Sequence, residues 1–334
     1  MTKNLTAADH HAAYPRNEER FADHSFPPDG LVAKSRIAYL TTPLSRIRVR
    51  TGVFVFSGAG GNVVAIEGSR GCVVVDTGYG PRVAEIKNTI EAVLAQEARW
   101  LINTHWHFDH TDGNAAFAHQ GATILAHINC RARLSKNQFV PSLNWRIAAS
   151  PRNALPAITF DQPLVVDIGS ETLQLLPQAP AHTDGDVAVA LQATNLLVMG
   201  DLFTHGSYPV IDESSGGSLR GMIAAINGLL PLVDGDTVVV PGHGPATDLS
   251  GLLAFRDMLC KVEDRIGSMI LAGLSFPEIL TSNPTEEFDP VWGRGYVTGP
   301  LFTGMVLAGW RSTARSTTSA PWCFFMNMIE HKRA

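Results

Sequence analysis

Thr104-His105-Trp106-His107-Phe108-Asp109-His110 follows an apolar, strand-like run (RWLIN, residues 99–103), and its reading decides the fold. Three histidines and an aspartate crowd into residues 105–110. A polar loop with chance histidines would account for any one of them, but not for the spacing. In extended backbone, residues two apart point to the same side, so His105 and His107 are placed to grip one metal ion together. The chain then turns, and Asp109 and His110 face a second position nearby. Neutral imidazole and carboxylate suit zinc, and less exclusively iron or manganese.

Four donors from one loop do not complete two metal sites, so polar residues at other strand ends become candidates. His182 sits in APAHTDGD, Asp201 in VMGDLF and His243 in VVVPGHG. Each is a titratable group on a glycine-flanked segment beside an apolar run. Singly, such a residue is commonplace; the three in this order are not.

The surrounding pattern supplies a scaffold. IRVRTGVFVF, GNVVAIEG and GCVVVDTG are β-branched runs punctuated by glycine, read as antiparallel strands. Residues 81–96 carry apolar side chains at helical spacing, with Pro81 in the first turn. A helix over 114–120, a strand (ATILAHI), a hairpin around Gly169-Ser170, two further strands (DVAVALQ, NLLVMGD), a helix over 217–230 and a strand in DTVVVPGHG follow. Helices are expected over 249–272, from Phe276, and over 299–310. Strands then helices, twice over, predict a layered α/β protein with two sheets inside.

THWHFDH, AHT, GDLF and PGHG together resemble the metallo-β-lactamase superfamily over about residues 47–248. The resemblance implies a four-layered αββα sandwich with the site at one edge, between the sheets. It implies that His105, His107 and His182 hold one metal, that Asp109, His110 and His243 hold a second, and that Asp201 bridges them. Asp76, in VVVDTG, matches an aspartate that supports the ligands from behind. The implied cofactor is two zinc ions per chain, sharing one water whose pKa is lowered towards neutrality, with Asp109 as the catalytic residue that orients it. Where many members have Gly-Gly after the motif, this chain has Asp112-Gly113.

The implied activity is hydrolysis of a small ester, lactone, amide or β-lactam. Three alternatives stay open: a thioesterase of the glyoxalase II type, a mononuclear iron dioxygenase, and a non-catalytic metal-binding scaffold. His107 stands where diiron redox relatives carry glutamate, which favours hydrolysis. Thr204 stands where lactonase relatives tend to carry tyrosine. His205, Tyr208 and Arg220 are weak candidates for substrate contacts.

The expected organisation is an N-terminal arm over 1–45, the sandwich domain over 46–248, a helical extension over 249–310 and a tail over 311–334. The 334 residues carry a formal charge of −5, which argues against a nucleic-acid partner. No apolar run is long enough to span a membrane, no secretory leader is visible, and four scattered cysteines suit a reducing compartment. The expected setting is therefore cytoplasmic, with a small-molecule substrate and an unknown oligomeric state.

Overall fold

The computed structural model describes residues 30–313. Most of the expected N-terminal arm and nearly all of the tail, Cys323 included, lie outside the described residues.

The valine-rich runs form the first sheet. β1 (Ser45–Arg50), β2 (Val53–Ser57), β3 (Val63–Ile66) and β4 (Cys72–Val75) pair antiparallel in sequence order. A helix, α2 (Val83–Leu94), then crosses over to β5 (Ala98–Ile102), which runs parallel to β4. β6 (Thr123–His127) and a short edge strand, β9 (Ile158–Phe160), complete a seven-stranded sheet. The second sheet has five strands: β10 (Leu164–Asp167), β11 (Thr172–Pro177), β12 (Val187–Leu191), β13 (Leu196–Thr204) and β14 (Val238–His243).

Alternation explains how the layers stack. In β4, Val73 and Val75 point into the space between the sheets, while Cys72 and Val74 point outward under α2. All four are fully buried, the pattern of a central strand covered on both faces. Opposite them, Leu173, Val187, Val189 and Val240 fill the inner face of the second sheet. Ile86 and Ile90 of α2 cover the first sheet from outside. The second sheet is covered by α6 (Leu219–Leu229), α7 (Leu249–Leu271) and α10 (Gly299–Thr313), through Met222, Phe255 and Phe302 among others. This is the expected αββα sandwich with a C-terminal helical extension.

Several elements are not among those the sequence suggested. α1 (Leu31–Thr41) is a helix within the expected loose arm. Its N-cap is Gly30, with no capping side chain, and Ile37 and Leu40 lie exposed, so it shows neither a start signal nor a clean apolar stripe. Between β6 and β9 lie α5 (Ile128–Leu134) and a small hairpin, β7 (Gln138–Val140) with β8 (Trp145–Ile147). Of the remaining short helices, α4 (Asn114–His119) and α8 (Phe276–Thr281) fall where helices were expected, and α3 (Phe108–Thr111) and α9 (Asp289–Trp292) do not. No helix among the described residues is long and apolar enough to cross a membrane.

Candidate metal centre

The C-terminal ends of β4, β5, β13 and β14 meet at one edge of the sandwich. Backbone bonds tie the two sheets together there: Asn62 N donates to Gly242 O (2.7 Å) and Val187 N donates to Thr104 O (2.8 Å). His105 to His110 leave the end of β5. His107 keeps extended backbone and caps the N-terminus of α3, so the chain changes from extended to helical immediately after it. Asp201 lies within β13, where the pairing with β14 loses regular register around Gly200. Such an irregularity re-aims a side chain. A Cβ on Gly242 would collide with the Asp201 carboxylate, and one on Gly61 with the His110 ring. Both glycines are therefore required by close packing around the cluster.

The seven donors named from sequence come together in two groups, His105, His107, His182 and Asp201, then Asp109, His110 and His243, each with its donor atoms within 4.8 Å of one another. His182 Nε2 is 2.9 Å from His107 Nδ1, and Asp201 Oδ2 is 3.6 Å from His182 Nε2. Asp201 also reaches the second group, 3.2 Å from His110 Nε2 and 3.5 Å from His243 Nε2. Asp109 Oδ2 is 3.3 Å from His243 Nε2.

The ring nitrogens that face away from the cluster are held. His110 Nδ1 lies 2.8 Å from Asp76 Oδ2, and His107 Nε2 lies 3.2 Å from Asp212 Oδ2. His182 Nδ1 is 2.7 Å from Val210 O, and His105 Nδ1 is 3.0 Å from the Thr104 hydroxyl. Fixing one nitrogen sets the tautomer and aims the other, as metal-binding histidines require.

The residues present fit a cation pair. His105 Nε2 is buried and has no hydrogen-bond partner among the described residues, an arrangement that is costly unless something satisfies it. Burial, reinforced by His110, lowers the pKa of His105, and burial pushes His182 down to about 4, so both favour the neutral, metal-binding form. Burial would raise Asp109, but His110 and His243 outweigh it and hold the carboxyl at about 2. Burial would lower His243, but Asp201 and Asp109 raise it to about 9. That corner of the site carries negative charge that a cation would neutralise.

Residues 57–249 match the family model described as the metallo-beta-lactamase superfamily. The chain belongs to that superfamily. The metallo-beta-lactamase from Pontibacter korlensis superposes with a TM-score of 0.54 at 22% identity, covering 65% of this chain and 99% of that one. Human acyl-coenzyme A thioesterase MBLAC2 is 28% identical over 212 residues, 57% of this chain and 75% of that protein. Hydroxyacylglutathione hydrolase from Anaeromyxobacter dehalogenans is 31% identical over 147 residues, 43% of this chain and 48% of that protein. The chain is a metallo-β-lactamase-like hydrolase.

Around this superfamily site, the weaker sequence candidates separate. Tyr208 lines the cleft above the donors, but its hydroxyl donates to Asp289 Oδ1 at 2.8 Å. His205 does not line that cleft, and its Nδ1 lies 2.9 Å from Pro245 O. Arg220 does not line it either: its guanidinium pairs with Glu263 of α7 and stacks 3.9 Å over the Trp310 ring. Sequence reasoning missed two residues at the site. Asp212 holds His107, and Tyr39 of α1 donates its hydroxyl to Asp109 Oδ2 at 2.9 Å, with its ring stacked on His243. Nothing local marks either one, because their partners are 105 and 70 positions away in the chain.

Proposed function

We propose that the protein is a dinuclear zinc hydrolase that cleaves the carbonyl-type bond of a small ester, thioester, lactone or amide. The supporting observation is that seven imidazole and carboxylate donors fall into two groups with Asp201 in reach of both. In this reading His105 Nε2, His107 Nδ1 and His182 Nε2 hold one ion, Asp109, His110 and His243 hold the other, and Asp201 joins them. Bound zinc would supply Lewis acidity, polarising the carbonyl and lowering the pKa of water towards neutrality.

The chain's own residues do the rest. Asp109, ionised and facing the cleft, takes the proton released by the attacking water and returns it to the leaving group. Tyr39 bonds one Asp109 oxygen and fixes the direction of that carboxylate. Phe108 and Trp145, packed edge to face 5.0 Å apart, exclude bulk water from one side. Sulfur and oxygen leaving groups both suit this arrangement, and MBLAC2 is itself named as a thioesterase. We further propose that residues 46–248 carry the reaction, with 249–310 packed on them as a helical extension.

Metal analysis and a substrate screen test the proposal together. About two zinc equivalents per chain are expected, and chelation should abolish hydrolysis of 4-nitrophenyl esters and thioesters, with recovery on adding zinc. One iron per chain with no hydrolysis in either series would overturn it.

A further inference from the structure

The cleft over the donor cluster has a volume of about 180 Å³, and its chemistry is one-sided. Its floor is polar, formed by His107, Asp109, Asp201 and His243. Its walls come from three separate parts of the chain. Leu31 and Val32 belong to α1, Leu143 and Trp145 belong to the β7–β8 hairpin, and Tyr296 and Val297 follow α9. Among the described residues lining it there is no lysine and no arginine.

Of the six side-chain hydroxyls that line the cleft, four are engaged with the protein, and those of Ser207 and Tyr296 are the other two. Ser35 donates to Val32 O (3.0 Å), Thr204 to Ser207 O (2.8 Å), and Tyr208 to Asp289 (2.8 Å). Tyr39 donates to Asp109. A carboxylate or phosphate placed against these walls would lose its hydration and gain no lysine or arginine, with at most the Ser207 and Tyr296 hydroxyls as donors, too few to replace the water an anion gives up. An apolar group meets the opposite balance, because each buried methylene contributes favourably.

We propose that this cleft selects a substrate whose acyl group is uncharged and apolar, an aliphatic or aryl ester or thioester, and rejects acyl groups that carry an anion. The inference rests on the hydrolytic reading and adds the substrate class. The reaction joins a water oxygen to the acyl carbon and breaks the bond from that carbon to oxygen or sulfur. One water proton goes to the departing alcohol or thiol, and the products are that compound and an apolar carboxylic acid.

The test uses calorimetric binding of phenyl ketones, uncleavable mimics of the esters, with the acyl chain extended stepwise from acetyl to octanoyl. Their ω-carboxyacyl counterparts form the comparison series, and both are titrated into the full chain, zinc-loaded and chelator-treated. Affinity for the neutral series should rise about two- to fourfold per methylene before levelling, and the ω-carboxy series should bind at least tenfold more weakly. Tyr296 is 43% exposed at the rim, so Tyr296→Arg should leave the fold intact and narrow that gap by supplying a cation. Val32→Ala should flatten the chain-length dependence. Equal or tighter binding of the ω-carboxy series, or affinity independent of chain length, overturns the proposal even if esters are hydrolysed. Tight, length-dependent binding of the neutral series without ester cleavage supports the proposal and removes only the hydrolytic reading.

Discussion

Asp76 and His110 meet at 2.8 Å behind the donor cluster, with the other carboxylate oxygen of Asp76 accepting from Thr104 N at 2.8 Å. The aspartate holds φ +60 to do so, a left-handed conformation that asparagine also tolerates. Asp76→Asn therefore keeps shape and backbone while removing the charge behind His110 and one of the two acceptor oxygens shared by His110 and Thr104. Zinc affinity at the Asp109, His110 and His243 group should fall about 10- to 100-fold, read by competition with a chromogenic chelator. An unchanged affinity would show that Asp76 serves the fold alone.

Asp212 does the same for His107. Burial would raise its carboxyl, but His107, Ser214 and Ser215 outweigh it and keep it well below the usual carboxylate range. Asp212→Asn should weaken zinc at the His105, His107 and His182 group by about 10- to 100-fold and leave the other group nearly intact. Spectra of the cobalt-substituted protein distinguish the two sites; equal loss at both would refute the assignment.

Arg220 was a candidate for substrate binding, and its partner Glu263 is 3% exposed. Removing one member of a buried pair typically costs about 3 kcal/mol. Arg220→Ala should accordingly lower stability in urea by about that amount, with KM for a neutral ester unchanged. Adding Glu263→Gln should restore part of the loss. A raised KM at full stability would return Arg220 to the substrate.

Burial pushes the Cys72 thiol up to about 12. The folded form retains a proton that the unfolded chain loses near its ordinary value, so the stability tied to this group is present below about pH 9 and lost as pH rises through 12. Only the thiolate reacts rapidly. Iodoacetamide near pH 8 should leave Cys72 unmodified in the native protein and alkylate it in urea, as peptide mass mapping would show.

The central strands and the first four donors were legible because each is written locally, whereas His182, Asp201 and His243 were joined to them by the resemblance. A strand buried on both faces is a run of valines, and the histidine cluster sits in one extended turn. The edge pieces were not. β7, β8 and β9 are three residues each, too short for alternation to stand out, and α1 lacks a capping residue. Arg220 was a candidate substrate contact because it follows Asp201 closely in sequence, yet α6 carries it to the outer side of the second sheet, against Glu263 of α7. Tyr39 and Asp212 act across the sandwich, and no short-range pattern encodes a contact that exists only after two sheets have closed.

The stretch that matches the superfamily runs from residue 57 to 249, whereas Leu31, Val32, Ser35 and Tyr39 line the cleft from one end of the chain and Tyr296 and Val297 from the other. Part of the cleft wall thus lies outside the stretch that carries the metal donors, and part, including Leu143, Trp145 and Tyr208, lies within it. Libraries that randomise Leu31, Val32, Tyr296 and Val297, with Tyr39 and the metal donors kept, reach the cleft wall without touching the donor cluster.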